Sequence, residues 1–347
     1  MNSSYDGSFI AGLMELRYIQ SLPVERIINY FEGHGFTLKK PTAHKLMEKA
    51  SSLFENLYKC IRQTALSDPY KAADETYYKI LVPEKNSKGK GVRKGYLWVV
   101  VGINTRMIYL LYDDGSRSER VILNELGSCK GIIQSDGYSP YRKLESDAYP
   151  NITRIPCLQH IKRKFIDCGE KDPDAKRIVE LINALYQNEH KHKVGVEGWT
   201  VEQNLMHRKK YAPDILGEIK DVLDEIEERG DLLPKSELQE AITYLRNEWN
   251  AVVDIFNYGD TYLDNNIVER MNRYISLSRK NSLFFGSHKG AERGAILYTI
   301  ALTCRMHKVN LFEYLTDVIN RTAEWQPNTP IEKYRELLPD RWEKANG

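Results

Sequence analysis

The sequence predicts a mixed α/β fold in which one β-sheet is combined with many helices. Three runs rich in β-branched and aromatic residues follow one another at 76–82, 96–102 and 106–112. Such runs are typical of strands, and the Asp-Asp-Gly at 113–115 marks a turn after the third run. The short spacing predicts an antiparallel meander, and apolar residues at helical spacing on both sides of it complete the α/β pattern.

Further elements follow in a definite order. We expect a helix over 117–126, short buried strands at 131–135 and 151–158, and a helix at 161–167. Three strands, helix, strand, strand, helix resembles the order of the ribonuclease H-like (retroviral-integrase-like) fold. The resemblance implies that the first and fourth strands lie side by side at the centre of the sheet.

The remaining segments are predicted to be helical. Pro23 suits the first turn of a helix, and the Gly-His-Gly at 33–35 separates it from the next helix, so residues 1–66 are interpreted as a helix-turn-helix-like domain. A plain helical bundle is the alternative. The full prediction is a helical domain at 1–66, a catalytic core at 67–169 and 259–322, a helical insertion at 170–258, in which Pro213 separates two helices, and a C-terminal tail at 323–347.

The composition is that of an ordinary globular protein. The 347 residues are 41% hydrophobic and 28% charged, with a net charge of +2, which does not by itself indicate a nucleic-acid partner. The basic residues are nevertheless clustered at 85–94, at 160–164 and after position 269. Local basic clusters can bind phosphates in a nearly neutral protein, and solvated surface charge is the alternative for each of them.

Cysteine usage and hydropathy bear on the compartment. The five cysteines are odd in number and lack CxxC spacing, which favours reduced thiols in the cytosol. No apolar run reaches about 18 residues, and the N-terminus lacks the charged and apolar segments of a signal peptide. We therefore expect an intracellular protein that does not contact a membrane.

Three acidic residues stand in distinctive settings. Asp74 comes shortly before the apolar run at 80–82, Asp136 directly follows another apolar run, and Glu269 lies where a helix begins. Carboxylates are the ligands that Mg²⁺ prefers, and two such ions about 3.5–4 Å apart can contact both the attacking and the leaving oxygen of a phosphodiester displacement. The leading hypothesis is DNA strand cleavage and joining.

Several motifs, in order, resemble the DDE transposases of the insertion-sequence 66 family. The main ones are Ala73-Asp-Glu-Thr76, Gln134-Ser-Asp-Gly-Tyr138, Cys157-Leu-Gln-His-Ile-Lys-Arg-Lys-Phe165 and Asp264-Asn-Asn-Ile-Val-Glu-Arg270. Arg279-Lys-Asn281 and Phe284-Phe-Gly-Ser287 follow in family order, and the resemblance runs from about residue 8 to residue 338. Family members usually carry a further N-terminal region with a coiled coil and a zinc module. We expect this chain to be the catalytic half without that region, as a fragment, a shortened relative or one product of a split gene.

The resemblance implies a specific chemistry. Asp74, Asp136 and Glu269 would be catalytic and would bind two Mg²⁺ or Mn²⁺ ions. The partners implied are double-stranded DNA of the element ends and the target, other copies of the chain on DNA, and accessory proteins of the same element, in the bacterial cytoplasm at the nucleoid. A metal-dependent nuclease without strand transfer and a domesticated, non-catalytic DNA-binding protein are the alternatives.

Each candidate residue has a rival interpretation. Adjacent strand residues point to opposite faces, so only one of Asp74 and Glu75 can face the site, and the resemblance favours Asp74. Asp136 could be a turn residue and Glu269 a surface residue. Asp264 is predicted to cap the helix that carries Glu269.

The remaining candidates concern metal and DNA. Cys157 and His160 could form half of a zinc site, but structural zinc takes four ligands and the sequence has no second matching pair. We instead expect Cys157 to be packed and His160 to lie beside the catalytic pocket. Phe284 and Phe285 could stack on a base or pack in the core. The candidate DNA-binding residues are His160, Arg163, Lys164, Arg270, Arg273, Arg279 and Lys280.

Overall fold

The protein is represented by a computed structural model, which describes residues 5–85, 89, 91–169, 172–191, 194, 198–326 and 328–344. Its strands are β1 Tyr70–Leu81, β2 Val92–Gly102, β3 Ile108–Leu111, β4 Gly131–Ser135 and β5 Ile152–Pro156. They form one five-stranded sheet in the order β3-β2-β1-β4-β5. The predicted mixed α/β fold is confirmed, and the ribonuclease H-like assignment stays a prediction.

Helices make up most of the remaining described chain. They are α1 Gly7–Met14, α2 Val24–Gly33, α3 Lys40–Leu53, α4 Glu55–Ser67, α5 Glu119–Leu126, α6 Ser139–Arg142, α7 Leu158–Asp167, α8 Pro173–Lys191, α9 Val201–Glu228, α10 Glu237–Ile255, α11 Asn266–Asn281, α12 His288–Met306, α13 Leu311–Ala323 and α14 Ile331–Glu336. A π-helical turn, Glu15–Ile19, continues α1. Of these helices, none combines the length and the apolar character needed to cross a membrane.

The chain divides into two compact units. The first comprises Met1–Gly131 and Ile267–Gly347, and the second comprises Ile132–Asn266. The segment predicted as a helical insertion provides α8, α9 and α10 of the second unit. The finer division into an N-terminal domain, a core and a tail stays a prediction.

The first unit contains the antiparallel meander that the sequence predicts. β1 pairs with β2, and β2 pairs with β3, both antiparallel. The centre of β2 is a run of fully buried valines, Val99, Val100 and Val101, as expected for a strand covered on both faces. Asp74 lies opposite Val99 in this ladder.

β1 begins six residues earlier than predicted, so Asp74 lies inside the strand and not before it. The sequence around Asp74 has low β-propensity, but the pairing with β2 starts at Lys71. Buried Asp68 fixes the start of the strand, because its carboxylate accepts hydrogen bonds from the amides of Tyr70 at 2.9 Å and Thr105 at 2.7 Å. Tertiary pairing therefore overrides the local preference.

The outer strand β3 is covered by the buried helix α12. The Thr299 hydroxyl accepts a hydrogen bond from the Leu110 amide at 2.9 Å, and the Thr303 hydroxyl donates one to the Ile108 carbonyl at 2.9 Å. These bonds satisfy backbone groups on an edge that would otherwise be open for pairing.

A buried arginine organises the second unit. Arg208 of α9 donates to Glu189 of α8 at 2.7 Å, to the Ile255 carbonyl at 3.1 Å and to the Thr261 carbonyl at 2.7 Å. A buried charge is tolerated when it is paired and hydrogen-bonded in this way. Arg208 thereby joins α8, α9 and the end of α10.

α9 runs through Pro213, so the predicted break there is wrong. Proline removes one helical hydrogen bond and crowds the preceding turn. The helix persists because a capping box of Thr200 and Gln203 fixes its start. A buried apolar stripe that includes Ala212, Leu216 and Ile219 also packs on both sides of the proline.

We predict that Pro213→Ala stabilises the protein by about 2 kcal/mol, because the gain from restored helix propensity exceeds the loss from a more flexible unfolded chain. Denaturant unfolding measures the change. Pro234→Ala is the matched control, since Pro234 lies between α9 and α10 and its replacement should be neutral or slightly destabilising. Equal effects of the two substitutions would contradict the helical strain assigned to Pro213.

Candidate active site

The Asp74 carboxylate has a fixed position within the first unit. Asn272 Nδ2 donates to Asp74 Oδ2 at 2.5 Å, and the Glu75 amide donates to Asp74 Oδ1 at 2.8 Å. Asp74 is half-buried in the middle of β1. Hydrogen bonds to a charged acceptor are stronger than neutral ones, so both carboxylate oxygens are oriented by the fold.

The same hydrogen bond places the helix that carries Glu269. Glu269 lies in the first turn of α11, and Asn272 lies three residues later, so the two side chains share one face of the helix. Because Asn272 bonds Asp74, this face of α11 meets β1 at Asp74. The first unit therefore holds two of the three predicted carboxylates on elements that contact each other.

α11 differs from its predicted bounds at both ends. The sequence pattern predicts a helix over 264–275, whereas α11 begins at Asn266 and continues to Asn281. Asp264 accepts a hydrogen bond from the Asn266 amide at 3.2 Å, so it contacts the first helical amide from two positions earlier. Further contacts with β1 explain the extra length, because the Tyr78 hydroxyl donates to the Ser282 carbonyl at 2.6 Å.

Glu75, the rival of Asp74, has a different partner. Arg117 donates to Glu75 Oε1 through Nε at 3.0 Å and through Nη2 at 2.5 Å. The two neighbouring acids of β1 are thus engaged by different elements, Asp74 by α11 and Glu75 by the segment before α5.

Asp136 directly follows β4 in the second unit. Its Oδ1 accepts a hydrogen bond from the Tyr138 amide at 3.1 Å, which is a local turn interaction typical of aspartate. The Gly137 amide donates to the Tyr244 hydroxyl of α10 at 2.8 Å. A Cβ atom at Gly137 would lie 2.4 Å from that hydroxyl oxygen, so a larger residue at 137 would displace the Tyr244 side chain.

A buried arginine supports the backbone at Asp136. Arg154 of β5 donates to the Asp136 carbonyl at 2.8 Å, to Ser135 Oγ at 3.1 Å, and to the carboxylates of Glu145 and Glu248 at 2.5 Å each. Burial acts to lower the pKa of Arg154, but Glu248 and Glu145 outweigh it and raise the pKa above its ordinary value. Arg154 therefore stays charged and binds the end of β4 to α10.

Cys157 and His160 lie at the start of α7. Cys157 is buried, and its sulfur accepts a hydrogen bond from the Asn265 amide at 3.3 Å. The neighbouring Leu158 amide donates to the Leu263 carbonyl at 2.9 Å. Cys157 is thus packed against the segment that leads into α11. His160 is half-buried, and its proposed role stays a prediction.

The predicted DNA-binding cations differ in their surroundings. Arg163 and Lys164 of α7 are exposed, and so are Arg270, Arg273 and Lys280 of α11. Lys88 and Lys90, which belong to a basic loop in the sequence, lie outside the described residues.

Arg279 already has partners within the fold. Its guanidinium lies 3.8 Å from the centroid of the Tyr77 ring, and its Nη1 donates to the Tyr77 carbonyl at 2.6 Å. These contacts anchor α11 on β1, so Arg279 supports the fold. The predicted contact of Arg279 with phosphate stays a prediction.

Sequence reasoning missed Asn272, Tyr244 and Arg154. A signal existed for Asn272, because it lies one helical turn after Glu269. Tyr244 bonds Gly137 from 107 positions further along the chain, and Arg154 bonds Asp136 from 18 positions further along. No local pattern predicts such contacts.

The chain is thus a mixed α/β protein with acidic residues on β1, directly after β4 and on α11. A sequence model described as the transposase IS66 family matches residues 2–293 of this chain. The chain therefore belongs to the IS66 transposase family.

Relatives of the chain occur in Sinorhizobium fredii (strain NBRC 101917 / NGR234). The uncharacterised protein y4jD is 27% identical over 346 residues, which covers 96% of this chain and 65% of that protein. The uncharacterised protein y4hP is 25% identical, with 93% of this chain and 60% of that protein covered. The chain thus spans less than two thirds of the length of these relatives.

We predict that Arg154→Met destabilises the protein by about 3–5 kcal/mol, because buried Glu248 loses its 2.5 Å ion pair and keeps only Arg142, at 3.9 Å. The double variant Arg154→Met/Glu248→Leu should lose less than the sum of the two single variants, since it removes both charges. Denaturant unfolding of the four proteins measures this coupling. Additive losses would show that Arg154 and Glu248 do not depend on each other.

Proposed function

We propose that this protein is a DDE transposase that catalyses metal-dependent cleavage and strand transfer of transposon-end DNA. Asp74, Asp136 and Glu269 are the proposed catalytic carboxylates. The observation that carries the proposal is the 2.5 Å hydrogen bond from Asn272 to Asp74, because it brings the Glu269 face of α11 to Asp74. Membership of the IS66 transposase family supports the same chemistry.

The three carboxylates fit a hard divalent cation. All the donor atoms are carboxylate oxygens, which suit Mg²⁺ and Mn²⁺, and the Asp74 oxygens are oriented by Asn272 and by a backbone amide. When bound, two such ions activate the attacking oxygen and stabilise the leaving oxygen at the scissile phosphate. Asp74, Asp136 and Glu269 would together hold the two ions.

The surrounding residues hold these ligands in place. Asn272 orients the Asp74 carboxylate, and Tyr244 and Arg154 fix the turn that carries Asp136. Oriented groups need little reorganisation during the reaction, so positioning and charge stabilisation provide most of the rate enhancement in such sites.

The proposed reaction has two phosphoryl transfers. The oxygen of water first attacks the phosphorus at the element end, and the P–O bond to the 3′ oxygen breaks to leave a free 3′-hydroxyl. That hydroxyl then attacks a phosphorus of the target and forms a new P–O bond, while the P–O bond to the target's own 3′ oxygen breaks and leaves a free 3′-hydroxyl on the target strand. No covalent intermediate with the protein forms.

The proposed partners follow from this reaction. They are the double-stranded element ends and target in the bacterial nucleoid, further copies of this chain on the DNA, and accessory proteins of the same element. A metal-dependent nuclease that stops after the first step is the second candidate. A domesticated binding protein is less well supported, because the chain retains all three carboxylates.

We predict that Asp74→Asn, Asp136→Asn and Glu269→Gln each abolish cleavage of labelled DNA from the ends of the element that carries the gene. Each change removes one ligand charge and nearly preserves the side-chain shape. Cleavage is measured in Mg²⁺, and chelation should stop it. Glu75→Gln is the matched control and should retain most of the activity, because Glu75 binds Arg117.

Circular dichroism and unfolding midpoints confirm that the variants fold. Near wild-type cleavage by any of the three variants would remove that residue from the proposed site, and loss of cleavage by Glu75→Gln alone would assign Glu75 in place of Asp74. Joining of the cleaved ends to a target plasmid distinguishes the transposase from the nuclease.

A further prediction concerns the exposed cations of α11. If Arg270, Arg273 and Lys280 contact phosphates, replacing all three with Gln should weaken binding of any duplex sequence. The slope of log affinity against log salt should become shallower by about 0.9 for each lost contact. The control replaces the exposed Lys209, Lys210 and Lys220 of α9 with Gln, which changes the net charge equally. An unchanged slope in the α11 variant, or the same change in both, would refute the phosphate contacts.

A further inference from the structure

The first unit contains a cavity away from the proposed carboxylates. Its volume is about 480 Å³, within the range of about 300–1,000 Å³ that is typical of small-ligand sites. It is lined by residues of the π-helical turn after α1, of α2 and α3, of the segment 281–287 and of the start of α12. Three features of this cavity point to the same ligand.

The first feature is a buried cation without a carboxylate partner. Arg17 lines the cavity and is only 7% exposed. Its guanidinium donates to the Ser278 hydroxyl at 2.9 Å and lies 5.6 Å from the Tyr18 ring. Within the described part of the chain, no carboxylate forms an ion pair with Arg17. Burial acts to lower the pKa of Arg17, but nearby tyrosine hydroxyls outweigh it and raise the pKa, so Arg17 stays charged. Because no carboxylate neutralises this buried charge, the site favours an anion.

The second feature is the positive charge of the walls. Lys40 and Arg293 also line the cavity, and each has an acidic partner: Lys40 pairs with Glu25 at 2.8 Å and Arg293 pairs with Glu48 at 2.7 Å. His44 lies among these cations. Burial lowers the pKa of His44 first, and Lys40, Arg293 and Arg17 lower it further. Three cations therefore line the cavity, and among the described residues Arg17 is the one of the three that forms no ion pair with an acid.

The third feature is an exposed aromatic side chain at the rim. Phe284 is 45% exposed although it lines the cavity. Its neighbour Phe285 is held by β1, since the Phe285 amide donates to the Lys79 carbonyl at 2.8 Å and its carbonyl accepts from Leu81 at 2.9 Å. Phe284 thus projects from a fixed backbone and offers a flat apolar face beside a positive cavity.

The geometry points to a binding site for an unpaired nucleotide of a DNA strand, with its phosphate at Arg17, Lys40 and Arg293 and its base against Phe284. A base supplies the flat face that stacks on an aromatic ring, and stacking is tolerant of sequence. The phosphate supplies the negative counter-charge that Arg17 lacks. The guanidinium of arginine also forms strong hydrogen bonds with phosphate oxygens. The inference rests on the proposed function only in taking DNA as the substrate.

Binding of two duplexes tests this site. One duplex has blunt ends and the other carries a five-nucleotide single-stranded overhang; both are labelled at the opposite end, and fluorescence anisotropy is recorded in EDTA, where no cleavage occurs. We expect the overhang to bind about tenfold more tightly. Phe284→Ala should remove that preference, since stacking of one base gives a difference of this size. Phe312→Ala, at an exposed aromatic of α13, is the matched control and should keep it.

Arg17→Met provides an independent readout. It should also abolish the preference for the overhang, but its unfolding midpoint should be unchanged or raised, because it removes a buried charge that has no counter-charge. If Arg17 had only a structural role, its replacement by Met would clearly lower the unfolding midpoint. Should Arg17→Met be strongly destabilised, or should it keep the preference, the phosphate role of Arg17 would be wrong.

The outcomes separate this inference from the proposed function. Equal wild-type affinity for both duplexes, or a preference that survives Phe284→Ala, would overturn the nucleotide site even if cleavage occurs. Competition by inorganic phosphate as strong as that by dAMP would indicate an anion site without base recognition and would also overturn it. Preference for the overhang without any cleavage in Mg²⁺ would count against the transposase reaction alone.

Discussion

The arrangement of the first unit depends on the attachment of α11 to β1. Asn272 bonds Asp74, Arg279 bonds the Tyr77 carbonyl, and Phe285, which follows the helix, pairs with the backbone of β1 at Lys79 and Leu81. The contacts follow the strand in order, so α11 cannot slide along β1 without breaking several of them. The other edge of β1 is held by β2. Glu269 is consequently carried by a helix whose position is fixed by a fully paired strand.

The second unit uses buried charge for a similar purpose. Arg154 binds two carboxylates and a carbonyl, and Arg208 binds Glu189 and several carbonyls. Buried ion pairs add little net stability, but removing one partner is costly. They therefore specify which elements meet. Arg17 differs from both residues, because it is also buried but donates a hydrogen bond to the neutral Ser278 hydroxyl. This difference favours an external anion as its partner.

Sequence patterns predicted the presence of helices and strands better than the residues at which they begin and end. The strand over 131–135 and the meander agree with the structure because β-branched runs and turn residues specify them locally. The predicted start of β1 was wrong because pairing with β2 includes the polar residues around Asp74 in the strand. The break at Pro213 was wrong because packing on both sides of it holds the helix together. In both places a long-range contact outweighs a local preference.

Charge shows why a candidate site is harder to predict than a fold. The basic cluster after Glu269 is continuous in sequence, yet Arg279 stacks on Tyr77 while Arg270 is exposed. Conversely, Arg17 and Arg293 belong to different sequence regions and line the same cavity. In a protein with a net charge of only +2, anion binding depends on the cations that folding leaves without an acidic partner, such as Arg17. Which cations lack an acidic partner is a property of the tertiary structure, because folding determines which residues lie close together.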